Sequence, residues 1–394
     1  MKKIIKIIIV IILIGLIGWF SVEKFKDFQK NKEVRAAKQA IDDKIDQLIT
    51  ARQNADVNAE DDPFGDKDSL KILLLGLDSR IGDKNGHCDA IQFIEINKKT
   101  NQINITAVPR GTYSPLPEYS PIPSEYYISK ACEVGGLEYG IEQIEKILGQ
   151  KADYLVMVGF SEAIGIFRNL NLPTTETLQW LRNRQSFAIG EPQRAHNHST
   201  FIKQMIVKFA PKNNSKLDTT WQYLIYKLLK TDLSFTQVRF IADTVQSIKP
   251  NEYPQRIQTH MRPSYEIQEI KYDEVAPGEQ VKKLLGSIVD ILPENDYSNE
   301  SLADIQGRLL KKINQNIDDK EFVRWAYDNH LWLQIEDDQV RQETHFSLLN
   351  KHLESYDSNE DKELLISEYI IAMQALNLVE WKDKGKELLF ELQK

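Results

Sequence analysis

The hydrophobic pattern of the chain begins with one long apolar run over residues 7–20, which has lysines on both sides. Together with the isoleucines just before it, this run approaches the ~20 residues that cross a bilayer. We therefore predict an uncleaved transmembrane anchor over residues 1–22. A cleaved signal peptide is the alternative, but residues 18–21 make a poor small-x-small cleavage site. Because lysines flank both ends, the charge rule alone leaves the orientation open.

After the anchor, apolar positions become sparse and recur every three or four residues, as at Val34, Ala37, Ile41 and Ile45. This spacing predicts an amphipathic helix with a narrow apolar stripe. The stretch that follows is rich in Asp and Asn and also contains Pro and Gly, which is typical of a linker. We assign residues 23–67 to a juxtamembrane helix and linker.

Short apolar runs alternate with helix-like spacing between residues 68 and 262. The runs predict strands over residues 72–75, 91–96, 103–108 and 154–158. The periodic segments predict helices over residues 137–148, 161–170 and 235–248, the last one capped by residues 231–234. This alternation predicts an α/β sandwich, fold class α/β, for residues 68–262.

Beyond Pro263 only helical spacing is found, so residues 263–394 are predicted to form a mostly α-helical C-terminal region. The predicted helices are residues 281–292, 301–317, 320–332, 341–356, 362–376 and 381–392. The aromatic residues of this region are predicted to anchor the core of a small bundle rather than to bind sugars. They are Trp325, Tyr327, Trp332 and Trp381.

Composition narrows the function classes. The formal net charge is −8, which argues against general nucleic-acid binding, because that function requires a basic face. Two cysteines, Cys88 and Cys132, are too few for a disulfide framework. One bridge between them is possible, but we expect two unpaired residues.

Candidate chemistry lies where the predicted strands begin and end. Asp78 follows the first strand, Asp89 precedes the second, and Arg110 follows the third. Carboxylates are the oxygen ligands that a hard divalent cation prefers, and guanidinium groups match phosphate oxygens. Together they suggest a cation bound beside a phosphate. An Asp-x-Arg turn with a surface ion pair is the plainer alternative for any one of these pieces.

These residues and further pieces of the chain resemble, in family order, the LytR-CpsA-Psr family of membrane-anchored enzymes that attach glycopolymers to the bacterial cell wall. The similar pieces are Leu74-Leu75-Gly76-Leu77-Asp78-Ser79-Arg80, Asp89-Ala90-Ile91, Val108-Pro109-Arg110-Gly111, Gly135-Gly136, Ala152-Asp153-Tyr154-Leu155-Val156, Leu181-Arg182-Asn183-Arg184, Glu191-Pro192-Gln193-Arg194 and Thr231-Asp232-Leu233-Ser234. The resemblance covers about half of the chain, and it implies a central mixed sheet.

The resemblance implies phosphoryl transfer outside the membrane, from a polyprenyl-pyrophosphate-linked glycopolymer to peptidoglycan. It implies an N-terminus in the cytoplasm and an extracytoplasmic body. The residues that it nominates are Asp78 and Asp89 as ligands of Mg²⁺ or Mn²⁺, Asp78, Asp89 and Arg110 as catalytic groups, and Arg80, Arg110, Arg182, Arg184 and Arg194 as pyrophosphate ligands. Asp89 is also the candidate acceptor of the proton. Nucleic acid is not an expected partner, whereas the helical C-terminal region is a candidate surface for a protein partner.

The chain departs from the family pattern at four positions: His87, Gly111, Asn197 and His198. Two arginines of the usual cluster are missing, and histidine cannot reproduce the bidentate phosphate contact of arginine. An active but divergent transferase is the favoured interpretation. The alternative is a non-catalytic scaffold that binds polyprenyl phosphate and recruits cell-wall proteins through its C-terminal helices. The histidines are expected to be incidental rather than a metal site.

Overall fold

The computed structural model describes residues 62–78, 86–183, 187, 189–210, 216–285 and 302–392. The predicted anchor over residues 1–22 and the juxtamembrane helix lie outside these ranges, so both stay predictions. Within the described ranges, every helix is too short or too polar to cross a membrane.

A six-stranded mixed sheet forms the centre of the fold, in the strand order β5-β4-β1-β2-β3-β6. Its strands are β1 Ser69–Asp78, β2 His87–Asn97, β3 Gln102–Ala107, β4 Tyr154–Gly159, β5 Lys230–Thr231 and β6 Ile257–Met261. The pairs β1–β4 and β3–β6 are parallel, and the other three pairs are antiparallel. The four predicted strands and the mixed sheet are confirmed, and β5 and β6 are additions.

Both faces of the sheet are covered, which explains why β1 is apolar nearly throughout. Leu73 and Leu75 belong to the core on one face, and Leu70 and Ile72 belong to the core on the other. This split follows from the period of two along a strand, which sends neighbouring side chains to opposite faces. Helices cover each face, so the predicted α/β sandwich is confirmed.

The helices of this part are α1 Ile128–Gly135, α2 Leu137–Leu148, α3 Phe160–Asn169, α4 Thr174–Arg182, α5 Glu191–Phe209, α6 Lys216–Lys227, α7 Phe235–Ser247 and α8 Pro277–Leu285. Predicted helices match α2, α3 and α7 within a residue or two. The left-handed Gly149 ends α2, and a capping box between Ser234 and Gln237 begins α7. The two-turn helix α1 was too short for its periodicity to predict.

An extended segment, residues 264–276, follows β6 and packs along α5; we call it the strap. Gln193 of α5 exchanges two hydrogen bonds of 2.8 Å with the backbone of Gln268. Gln204, three turns further along α5, bonds the backbone of Tyr272 in the same way. The chain therefore stays attached to the α/β part for some distance beyond the predicted boundary at residue 262.

The C-terminal region is helical, as predicted. Its helices are α9 Leu302–Asn316, α10 Lys320–Asp328, α11 Asp338–Leu353, α12 Asn359–Ala375 and α13 Val379–Leu392, with a 3-10 turn at Leu331–Gln334. The region docks on the α/β part through Arg168 of α3, which donates to the carbonyls of Leu333 and Ile335 over 2.9 and 3.2 Å. Thr174, at the start of α4, donates to Glu336 over 2.7 Å.

Candidate active site

One edge of the sheet collects the candidate residues. β1 ends there at Asp78, which is paired in register with His87 at the start of β2. β3 runs antiparallel to β2, so Arg110, just beyond β3, returns to the same edge. β4 also ends at this edge, with Gly159 beside Leu77. The topology thus brings together residues that lie more than thirty positions apart in the sequence, as the strand pattern predicted.

Two carboxylates and two guanidinium groups meet at this edge, and we call them the sheet-edge cluster: Asp89, Arg110, Glu191 and Arg194. Arg110 Nη1 donates to Asp89 Oδ1 over 2.6 Å, and Arg110 Nε lies 3.2 Å from Glu191 Oε1. Arg194 Nη2 lies 2.9 Å from Glu191 Oε2 and donates to the backbone carbonyl of Asp89 over 3.1 Å. Each arginine therefore contacts both acidic residues.

The start of α5 places half of this cluster. Gly190 precedes the helix with a φ of +55°, a left-handed value that favours glycine, and Pro192 lies in the first turn. Glu191 and Arg194, three residues apart, lie on one face of the helix. The first turn of a helix also has unpaired N–H groups, which favour negative charge. Both the backbone N–H groups at the start of α5 and the arginine side chains therefore favour an anion at this edge.

The cluster is partly shielded from water. Side chains of Asp89 and Arg110 are 27% and 26% exposed, and that of Arg194 is 8% exposed. Burial would raise the pKa of Asp89, but the charges of Arg110 and Arg194 outweigh it and hold the pKa below its ordinary value. Burial would likewise lower the pKa of Arg110, but Asp89 and Glu191 raise it. Both groups of the pair are charged at neutral pH.

The low pKa of Asp89 bears on its two predicted roles. A carboxylate with a depressed pKa is a weak base at neutral pH, which disfavours proton abstraction. An ionised carboxylate is a good ligand for a hard cation. The cluster's oxygen donors therefore fit Mg²⁺ or Mn²⁺, which is often held by one or two carboxylates together with water and substrate phosphate. Within the described ranges, no three His, Cys, Asp or Glu residues form a group that could hold a metal by themselves.

The remaining predicted site residues lie outside the sheet-edge cluster or outside the described side chains. Arg80 and Arg184 lie outside the described residues, and Asp78 is described by its strand pairing only. Arg182 is the last residue of α4. Its guanidinium lies 5.5 Å from the ring of Phe160, which follows β4 at the same edge. Glu191 was missed as a site residue, although its helical spacing to Arg194 was the available signal.

The four departures from the family pattern occupy ordinary structural positions. His87 lies 3.4 Å from Glu133, and Gly111 has open space where a side chain would begin. Asn197 is buried and accepts a hydrogen bond from Gln193. His198 Nε2 donates to the carbonyl of Leu181 over 2.7 Å, which ties α5 to the end of α4 beside Arg182.

His87, His196 and His198 each contact a different residue. Burial, reinforced by Arg194, lowers the pKa of His198 to about 4, so the ring is neutral. His196 lies 3.0 Å from Glu269 of the strap, and His87 has its own partner elsewhere. Each ring therefore has a separate partner, and the expectation that these histidines are incidental stays a prediction.

Cys88 and Cys132 form a disulfide, so the expectation of two unpaired cysteines was wrong. Their Cα atoms lie 6.0 Å apart, and both side chains are buried. The bridge ties β2 to α1 directly beside Asp89. Sequence spacing could not show this, because the packing of α1 on β2 brings together residues 44 positions apart.

Residues 27–165 match the model of the LytR_cpsA_psr family. The polyisoprenyl-teichoic acid–peptidoglycan teichoic acid transferase TagU of Bacillus cereus strain AH820 is 24% identical over 185 residues, which are 46% of this chain and 59% of that protein. TagU of Bacillus subtilis strain 168 is 27% identical over 126 residues, 32% of this chain and 40% of that protein. The matches thus span less than two thirds of these relatives.

Solved structures of similar chains were also found. TagV of B. subtilis has 16% identity and a TM-score of 0.41, covering 57% of this chain and 98% of that one. TagT bound to LIIa-WTA has 17% identity and a TM-score of 0.38, covering 59% and 94%. The family match includes Asp78, Asp89 and Arg110 and ends before Arg182 and Arg194. The matched segment, residues 27–165, is thus similar to the LytR-CpsA-Psr family over about a third of the chain.

Proposed function

We propose that this chain is a phosphotransferase that moves a glycopolymer from a polyprenyl-pyrophosphate lipid onto peptidoglycan. The observation that carries the proposal is the sheet-edge cluster, in which Arg110 and Arg194 are held against Asp89 and Glu191 at the N-terminus of α5. The named activity of the TagU relatives, teichoic acid transfer, supports the class of reaction.

In the proposed reaction, an acceptor hydroxyl oxygen bonds to the phosphorus that carries the glycopolymer. The bond from that phosphorus to the bridging oxygen breaks, polyprenyl phosphate leaves, and the proton of the acceptor hydroxyl passes to water. Such a transfer needs in-line positioning and neutralisation of the charge on the phosphoryl oxygens. Arg110 and Arg194 would hold these oxygens, because guanidinium groups bind phosphate through two parallel hydrogen bonds. Arg182, at the same edge, would bind the second phosphate.

The sheet-edge cluster has as many negative as positive side chains, so the proposed reaction also requires a cation. Asp89 and Glu191 offset the charges of Arg110 and Arg194, so a pyrophosphate would gain little from these four groups alone. A divalent cation held by Asp89 and Asp78 would supply the positive charge that stabilises the leaving phosphate. With its low pKa, Asp89 serves in this scheme as a ligand and not as the base.

We place the body of the protein outside the cytoplasm, anchored by residues 1–22. The Cys88–Cys132 disulfide supports this placement, because disulfides persist in oxidising compartments and are rare in the cytosol. The donor and the acceptor of the proposed reaction are both found on that side of the membrane.

The test uses the full chain in detergent, a short polyprenyl-pyrophosphate-linked sugar, a glycan acceptor and Mg²⁺. Release of polyprenyl phosphate is measured for the unaltered chain, Arg110→Ala and Asp78→Ala. Removing one group that stabilises transition-state charge should lower the rate about 10²- to 10³-fold. Arg239→Ala, which removes a partly buried arginine of α7, is the matched control and should keep full activity.

The same assay separates the transferase from the scaffold alternative. Release that requires Mg²⁺ and is lost in Arg110→Ala, with an unchanged circular dichroism spectrum, supports the transferase. Tight binding of the lipid without release in Mg²⁺ or Mn²⁺ would overturn the transferase in favour of the scaffold.

A further inference from the structure

The loop that follows Arg110 exposes an unusual amount of aromatic surface. Tyr113 is 68% exposed, Tyr119 86%, Ile122 50% and Tyr127 44%. Large apolar side chains that cluster in solvent usually mark a surface that binds something. We call residues 111–127 the tyrosine loop. Neither the proposed phosphate chemistry nor the core of the fold uses its exposed rings.

The tyrosine loop is held in one conformation by its own hydrogen bonds. Its two arms pair through Ser114 N, which donates to Tyr126 O over 2.9 Å, and Ile128 N, which donates to Thr112 O over 2.8 Å. The hydroxyl of Tyr126 bonds both the N–H and the carbonyl of Ser120 at 3.1 Å. The exposed rings are therefore carried by an ordered backbone, which reduces the entropy lost when a ligand binds.

The loop adjoins the sheet-edge cluster. Only two residues separate Arg110 from Tyr113, and Ser129 N donates to Arg110 O over 3.1 Å, so the base of the loop is fixed to the arginine's own backbone. The ring of Tyr113 stacks on that of Tyr126, with centroids 6.1 Å apart and planes within 7° of parallel. One face of Tyr113 is thus covered, while most of the side chain stays open to a ligand.

The charge of the loop decides between two classes of ligand. Residues 111–129 contain Glu118 and Glu125 but no Lys or Arg. An anionic membrane surface attracts basic segments, so this loop is a poor membrane contact despite its tyrosines. A neutral saccharide fits better, because aromatic faces cover the apolar faces of sugar rings and carboxylates accept hydrogen bonds from hydroxyls.

We propose that the tyrosine loop is the binding surface for the acceptor glycan strand, with Tyr113 and Tyr119 as its aromatic contacts. This inference rests on the proposed function. The donor carries a pyrophosphate that the arginines can hold, and a lipid that keeps it near the membrane. The acceptor has neither group, so it needs a surface of its own beside the reacting phosphate. The tyrosine loop begins directly after Arg110, and its exposed rings and carboxylates provide such a surface.

The test measures binding of a β-1,4-linked N-acetylglucosamine hexamer to the full chain in detergent by calorimetry, without any lipid donor. We expect Tyr113→Ala and Tyr119→Ala each to weaken binding by about five- to tenfold. Tyr119→Leu keeps apolar area but not the ring face, and should weaken binding as much as Tyr119→Ala. Tyr253→Ala, at the opposite edge of the sheet, should bind as the unaltered chain does.

Equal affinity in the unaltered chain and both alanine variants would overturn the inference, as would full binding by Tyr119→Leu. A membrane role is tested with Tyr119→Trp in nanodiscs. Extra fluorescence quenching by brominated lipid, relative to the unaltered chain, would place the loop in the bilayer and overturn the glycan assignment. Because no donor is present, hexamer binding can succeed even if release of polyprenyl phosphate fails, so the two proposals fail separately.

Discussion

The sheet-edge cluster and the stacked rings around His345, in the C-terminal helical region, bury polar side chains in opposite ways. In the cluster, three of the four charged side chains are about a quarter exposed and Arg194 is 8% exposed. They are paired with opposite charges, as between Asp89 and Arg110. In the helical region, His345 lies flat on Trp332, with ring centroids 3.9 Å apart, and edge-on to Tyr369 at 4.9 Å. Burial, with a smaller effect of His330, lowers the pKa of His345 to about 3, so this ring is packed without charge.

This difference separates a site from a core. Holding charges away from water costs free energy that close pairing only partly returns, so such groups mark a place where charge has a use. Neutral rings stacked on one another contribute packing instead. The prediction that Trp332 and Trp381 anchor a bundle is confirmed, since both are 5% exposed. Three exposed tyrosines, Tyr113, Tyr119 and Tyr127, lie instead in the tyrosine loop that follows Arg110.

The largest expected effect is on stability in the helical region. Trp332→Ala removes a buried indole that contacts Tyr327, His330 and His345. We expect the free energy of unfolding to fall by about 3–5 kcal/mol, the usual cost of truncating a buried aromatic residue. Urea unfolding followed by circular dichroism measures it. The control is Leu364→Ala, which removes a side chain that is 64% exposed. An equal loss in both variants would show that Trp332 is not a core anchor.

The next largest expected effect is a loss of stability in the α/β part. Replacing the disulfide with Cys88→Ala/Cys132→Ala releases β2 from α1, and we expect a loss of about 2–4 kcal/mol. Hydrogen exchange should speed up around Asp89 in β2 and leave α11 and α12 unchanged. The unaltered chain in reductant is the matched control and should show the same pattern. Faster exchange in α11 instead would mean that the two regions do not respond separately.

Local patterns predicted the elements well because each depends on nearby residues. The apolar runs of β1 and β2, the glycine after α2 and the cap before α7 all act within a few positions. The prediction that strand ends converge also rests on a local rule, and Asp89 and Arg110 do meet in the structure. Their roles in binding and catalysis stay predictions.

The failures all involve contacts between distant segments. The disulfide depends on how α1 packs against β2, and the bridging position of Glu191 depends on where α5 begins relative to Arg110. The strap reaches the core through Tyr272, whose ring packs edge-on to Trp180 at 5.2 Å. No spacing within one segment carries this information.

The smallest expected effect is on the pH dependence of the free energy of unfolding. It distinguishes the contribution of His345, in the helical region, from that of Asp89, in the sheet-edge cluster. His345 binds a proton near pH 6.5 when unfolded but only near pH 3 when folded. The unfolded state therefore holds the extra proton between these values, so stability is full above about pH 6.5 and falls as the pH is lowered. Asp89, whose pKa lies below its ordinary 3.8, stays ionised over most of that window.

His345→Phe keeps a ring against Trp332 and removes the proton. The free energy of unfolding should then fall less steeply between pH 6 and pH 4, by about 1.4 kcal/mol per pH unit. Urea unfolding at pH 6, 5 and 4 measures this slope. His198 of the α/β part also has a lowered pKa, so the profile of the unaltered chain mixes both regions and only the variant isolates the helical one. An unchanged slope in His345→Phe would mean that His345 takes up no proton on unfolding, and that its burial against Trp332 does not keep it neutral.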